Sequence, residues 1–250
     1  MRYAGDTVPM IGRLTVITFG LLAASVPPTV GLWRRYGRRA GSSFAGGSLV
    51  AILAQHSLVG IVASRKSARL TPVDGMTLSR GFAAAMLVGL VASGVRCRSG
   101  LAGWFGWSSL VYGSIVCDWL DGPIARRLGM TSELGALLDL ESDSWLTLVA
   151  ASSATAWGGL PGYCMASPLA RYALLMAALR RIPYEQVYAD EPAWARPLGI
   201  AQMALFTAAM APFGGAGTRR AVVLLTPIVA PLQLLATLLL YRRSQRLFGT

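Results

Sequence analysis

Residues Val116–Trp145 read VCDWLDGPIARRLGMTSELGALLDLESDSW. The stretch joins two apolar runs, yet it holds six of the chain's 11 acidic residues: Asp118, Asp121, Glu133, Asp139, Glu141 and Asp143. Helical spacing sorts them. Asp118 and Asp121 are three apart and share a face of the segment that ends the first run. Gly135, Asp139 and Asp143 are four apart and share a face of the segment that begins the second. The polar connection at 122–134 is short, so the two segments are expected to be antiparallel neighbours with four carboxylates converging at one end. Glu133 and Glu141 fall off that face and are expected to face water or loops.

The surroundings of this window are those of a membrane protein. Mean hydropathy is +0.52, and charged residues make up only 14% of the chain. Several apolar runs approach the roughly 20 residues a helix needs to cross a bilayer. A formal charge of +12 would point to nucleic acid in a soluble protein. Here the Arg residues sit in short loops between apolar runs, at Arg34-Arg35, Arg38-Arg39, Arg126-Arg127, Arg180-Arg181 and Arg242-Arg243. That pattern belongs to cytoplasmic loops and anionic lipid, and it argues against nucleic-acid binding. Cys97, Cys117 and Cys164 have no metal or disulfide spacing. The lone His56 reads as a packed or interfacial residue.

The fold expected is therefore an all-α membrane protein. Six candidate spans lie at about 78–95, 101–121, 135–157, 163–179, 197–214 and 221–241, because only helices satisfy their own backbone in lipid here. Residues 71–250 form the six-helix part and residues 1–70 a hydrophobic and basic extension. Within the extension, Leu14–Trp33 and Phe44–Ser64 supply one or two further apolar segments. Both flanking loops, RRYGRR and RKSAR, are basic, so a single crossing between them conflicts with the charge rule. Pro27-Pro28 favours an irregular first segment. A signal peptide lacks a convincing cleavage site.

Four clustered carboxylates repel one another and are costly to desolvate. Hard divalent cations with oxygen ligands remove that cost. Two such ions can clamp a diphosphate and neutralise charge on a departing phosphate. Gly122, Ala125 and Gly135 leave room for a bulky ligand to approach the backbone, and Arg126 supplies a cation suited to phosphate. The bland alternative, interfacial acids paired with Arg126 and Arg127, explains one Asp but not four at these spacings.

Asp118-x2-Asp121-Gly122-x2-Ala125-Arg126-x8-Gly135-x3-Asp139-x3-Asp143 resembles, position for position, the signature of the CDP-alcohol phosphatidyltransferases. The resemblance covers about residues 71–245 and implies a six-helix core with the signature between its second and third helices. It implies that Asp118, Asp121, Asp139 and Asp143 hold two Mg²⁺ or Mn²⁺ ions, with Asp143 also the general base. It further implies that Gly122, Ala125, Arg126 and Gly135, with Asp118, line the CDP pocket. The implied reaction is attack by an alcohol on a CDP-linked lipid, usually CDP-diacylglycerol, with release of CMP. A homodimer in the bilayer is also implied. With the Arg-rich 122–134 loop inside, the site would face the cytoplasm across a bacterial inner membrane.

Two further stretches carry weaker likenesses. Thr71–Arg80, TPVDGMTLSR, is similar to the family's N-x-x-T-x-x-R entry to the first helix, with Asp74 where Asn is common. Thr77 and Arg80 match, which would set Thr77 beside the nucleotide; alternatively Asp74 and Thr77 simply begin and cap the helix. Arg171, mid-span in ASPLARYALLMAALRR, is expensive in lipid and must face the bundle interior or a wet cavity. It resembles an Arg that meets the acceptor's phosphate in phosphatidylglycerophosphate synthases, with Arg180 or Arg181 as helpers; alternatively it is the buried partner of an Asp.

Around Asp139 the chain reads LLDLESDSW, which departs from the LDPLADK form of those synthases and leaves the acceptor alcohol open. Of 23 Lys and Arg only Lys66 is Lys, a usage that fits high-GC bacterial coding. A membrane cation transporter using the Asp cluster as a transit site is the competing function. Such sites lie near the midplane on broken helices, whereas these acids flank a basic loop.

Overall fold

The computed structural model describes residues 10–66, 71–95, 101–130, 133–178, 194–212 and 216–248, and among them the regular structure is entirely helical. The helices are α1 Met10–Ala24, α2 Val26–Tyr36, α3 Arg38–Lys66, α4 Pro72–Ser93, α5 Leu101–Leu128 and α6 Glu133–Ala156. A 3₁₀ turn, Gly162–Met165, then precedes α7 Ala166–Ala178, α8 Ala195–Met210 and α9 Ala216–Phe248. A helix thus stands at each of the six places expected from 78 onward. Among the described residues, three stretches are long and apolar enough to cross a membrane: Leu14–Tyr36, Val73–Ser93 and Arg220–Leu239. Pro197–Met210 is a shorter apolar helix.

Local chemistry sets the helix ends. Thr71 caps α4: its hydroxyl accepts from the Asp74 N–H, while the Asp74 carboxylate accepts from the Thr71 N–H, and Pro72 follows in the first turn. Gly94, at φ 69°, ends that helix. In the N-terminal stretch the chain breaks at Ser25, just before Pro27 and Pro28 in the first turn of α2, as the Pro pair predicts. The largest departure from expectation concerns α5, which continues through Asp121 to Leu128. Gly129, at φ 63°, stops it, and the Met130 N–H bonds back to the Ala125 carbonyl at 2.9 Å. Gly122, Ala125 and Arg126 are therefore helical residues on the same rod as Asp118 and Asp121, rather than parts of a loop.

The chain divides into two compact units. The first comprises residues 1–95 and 116–139. Its core lies along α3 and α4, with Phe44, Ile52, Leu78, Ala84, Ala85 and Leu87 buried. Small residues allow a close helix approach, as in membrane helix pairs. A Cβ at Gly89 would stand 2.8 Å from the Phe44 carbonyl oxygen, and one at Gly47 would stand 2.7 Å from the Ala92 methyl. Ser48, Gln55 and His56 are buried on α3. His56 is a packed residue whose Nδ1 lies 2.8 Å from the Ile52 carbonyl oxygen.

The second unit comprises residues 96–115 and 140–250. Here α9 packs on α8 and α7, and Trp107, Val111, Ala150, Ala154, Cys164, Phe206 and Met210 are buried. The Trp104 indole donates to the Thr207 carbonyl at 3.3 Å, tying α5 to α8.

Candidate active site

Within the first unit, α5 and the start of α6 bring their acids together. Asp118, Asp121 and Asp139 each offer a carboxylate oxygen, and these oxygens lie within 4.8 Å of one another. Spacing on α5 sets the first two, three residues apart, and α6 returns the third. Asp121 is deeply buried, whereas the Asp118 and Asp139 side chains keep 33% and 44% of their surface. The group is thus anchored at one carboxylate and open at two.

Helix α4 supplies the opposite charge. The fully buried Arg80 donates to Asp118 and, through its other terminal nitrogen, to Asp139. That nitrogen also reaches the Asp139 carbonyl oxygen at 2.9 Å. Arg80 Nη1 lies 3.7 Å from Asp121 Oδ2. One turn earlier on α4, the Thr77 hydroxyl donates to Asp121 at 3.2 Å. A planar guanidinium with several donors is suited to joining three carboxylates in this way. Three anions and one cation leave a formal charge of −2, which one divalent cation cancels. Three convergent carboxylates are a hard oxygen donor set, so the residues fit a Mg²⁺ or Mn²⁺ ion.

Beside the acids opens a cavity of about 180 Å³, whose lining includes Thr77, Asp121, Gly122, Ala125, Arg126, Gly135 and Asp139. The small residues singled out in the sequence thus form its wall. The exposed Arg126 guanidinium folds back over Gly122, where an added Cβ would stand 3.3 Å from Nη1. An apolar wall of Gly and Ala, with Arg126 at one side and carboxylates at the other, suits a ligand that carries phosphate and needs a cation.

The upstream stretch divides between its two readings. Asp74 is a helix-capping residue, although it also lines the cavity. Thr77 is no cap; it bonds to the acid cluster. Asp143 stands one turn beyond Asp139 on α6, in the part belonging to the second unit, and is half-buried.

Also in the second unit, Glu141 corrects an expectation. It does not face water or loops but is buried, with the Tyr172 hydroxyl donating to it at 3.1 Å. Arg171 lies close enough to act on it electrostatically, and the Trp145 ring meets Tyr172 edge-to-face at 6.5 Å. Arg171 thus has an acidic neighbour in Glu141. The Glu133 side chain, Arg180 and Arg181 lie outside the described residues.

Beyond its match to the entry pattern, no motif in the sequence marks Arg80 as part of the site. The available signal was physical: an Arg in an apolar helix needs an anionic partner, and the chain has few acids to offer.

The described residues are helical, include apolar stretches long enough to cross a membrane, and bring three carboxylates beside a cavity, the features of an integral membrane protein with an acidic site. The sequence profile of the CDP-alcohol phosphatidyltransferases matches residues 71–239. The chain belongs to that family and is a transferase that moves a phospho-alcohol group from a CDP-alcohol. Comparison with characterised proteins and with solved structures finds no match to either.

Proposed function

We propose that this enzyme transfers the phosphatidyl group of CDP-diacylglycerol to an alcohol, releasing CMP, in a reaction that depends on Mg²⁺ or Mn²⁺. The observation that carries the reading is the convergence of Asp118, Asp121 and Asp139 beside a cavity walled by Gly122, Ala125 and Gly135. Asp118, Asp121, Asp139 and Asp143 would hold the two ions. Bound there, the ions would bind the diphosphate and stabilise the charge that develops on CMP.

The chain's own residues divide the remaining work. Thr77 fixes the Asp121 carboxylate, and Arg126 draws the diphosphate into the cavity. Gly122, Ala125 and Gly135 admit the nucleotide next to the helix backbone. Asp143 accepts the proton of the acceptor hydroxyl as its oxygen bonds to the β-phosphorus. The bond from that phosphorus to the bridging oxygen breaks, and CMP carries the electron pair away. Arg171 orients the acceptor.

In this reading, α4 to α9 form six spans of a catalytic domain at 71–250, and residues 1–70 are an extension packed on its first helix. The site faces the cytoplasm from a bacterial inner membrane, and the enzyme is a homodimer. The six helices at the expected places and the Arg-rich end of α5 support this arrangement. CMP release by purified protein in detergent, with CDP-diacylglycerol, a panel of alcohols and added Mn²⁺, tests the reaction. Absence of both metal-dependent CMP release and CDP-lipid binding would overturn it. Cation flux through reconstituted vesicles would instead favour the transporter.

A further inference from the structure

The residue that carries most beyond this reading is Arg80. It is buried to 1% exposure, on a helix that contributes none of the three clustered aspartates. Its two terminal nitrogens nevertheless engage carboxylates on both α5 and α6. Those contacts fall on two of the three carboxylates whose oxygens converge within 4.8 Å. A guanidinium and a divalent cation at this place therefore draw on one shared set of acceptors.

We propose that Arg80 is a positioning residue and built-in countercharge of the carboxylate site: it holds the three acids together from α4 and, by competing for their oxygens, lowers their affinity for divalent cations. The proposal rests on the metal-dependent reading above. The charge count is its core. With Arg80 the three acids carry −2, and without it they carry −3 around the buried Asp121, where uncompensated charge is costly.

Opposite effects on stability and on affinity follow. A neutral side chain at position 80 leaves the acids mutually repelling, so the fold weakens when chelator is present. The same change removes a competing cation, so a divalent ion binds more strongly. A residue that merely packs would lower stability without tightening the site. A residue that acts as ordinary scaffolding for the ligands would weaken cation binding when lost.

Isothermal titration with Mn²⁺ and thermal unfolding in Mn²⁺ or chelator test this on the full-length protein in detergent. Arg80→Met should bind Mn²⁺ at least about tenfold more tightly than wild type. Its unfolding temperature should fall in chelator and recover with Mn²⁺. Arg80→Lys keeps the charge but joins fewer carboxylates, so it should show a smaller tightening and give a second, gentler reading. Wild type, already neutralised in part by Arg80, should remain folded in chelator.

Equal or weaker Mn²⁺ binding by a folded Arg80 variant would overturn the proposal, as would a wild-type protein that unfolds when chelated. If wild type itself bound no Mn²⁺, the metal-dependent reading would fail instead. Unfolding of both variants that Mn²⁺ does not reverse would also count against Arg80 as a countercharge.

Discussion

Thr77 and Asp121 are joined by a 3.2 Å hydrogen bond although 44 residues separate them. The bond ties the first helix of the family region to the buried member of the acid cluster. A neutral donor on an ionised acceptor is among the stronger side-chain bonds, and burial raises the cost of losing it. Thr77→Val keeps the shape and removes the donor. The Mn²⁺ concentration giving half-maximal CMP release should rise about tenfold, while Thr77→Ser should stay near wild type. An unchanged metal requirement in Thr77→Val would show that the bond does not position Asp121.

Metal removal offers a coarser check. Chelator should abolish CMP release, and Mn²⁺ or Mg²⁺ should restore it, because no side chain replaces a dication on the diphosphate. Asp118→Asn, Asp121→Asn and Asp139→Asn should each fall to background, since each removes one member of the convergent donor set. Full activity in any one of them would remove that residue from the ligand set.

Asp143 is separable from these three by its step. In the proposed role of general base it would contribute about 10²–10⁴-fold in turnover. Asp143→Asn should retain binding of CDP-diacylglycerol, measured directly in detergent, while single-turnover CMP release falls by that order. Retained turnover would assign the proton to another group.

How much of this was readable in the chain depended on distance along it. Asp118, Asp121 and Gly122 follow from helical spacing, a local property, and Gly135 and Asp139 follow in the same way. The polar run from residue 122 suggests an earlier end for α5 than the chain adopts, because polarity alone does not stop a helix. The actual stop is Gly129, whose positive φ suits glycine. Arg80 was harder, since its partners Asp118 and Asp139 lie 38 and 59 residues away. The burial of Glu141 is hidden in the sequence for a related reason. The residue is set off the face shared by Asp139 and Asp143, but in a helical bundle the other side of a helix can meet a neighbouring helix rather than water, here Tyr172 of α7.

The crossing of α3 and α4 tests whether the N-terminal extension is integral to the fold. A Cβ at Gly89 would meet the Ser48 hydroxyl at 2.1 Å and the Phe44 carbonyl at 2.8 Å. The carbonyl belongs to the backbone and cannot rotate aside. Gly89→Leu should therefore lower thermal stability by about 1–3 kcal/mol or more, the usual scale for overpacking. Gly46→Ala, on α3 where an added Cβ meets nothing within 4 Å, is the control. Equal stability of the two variants would mean that α3 is only loosely applied to α4.

Glu141, Tyr172 and Arg171 allow structural and functional roles to be separated for one cation. Arg171→Ala leaves Glu141 without its nearby positive charge, and an uncompensated buried acid destabilises a fold. The same variant should raise the acceptor KM more than the donor KM if Arg171 orients the acceptor. Adding Glu141→Gln removes the stranded charge while keeping an oxygen for the Tyr172 hydroxyl. The double variant should recover most of the lost thermal stability, because the two residues share one interaction. Its acceptor KM should stay high, because neutralising Glu141 does not restore a cation to the acceptor. Recovery of both quantities together would make Arg171 a structural partner of Glu141 and remove it from the acceptor site.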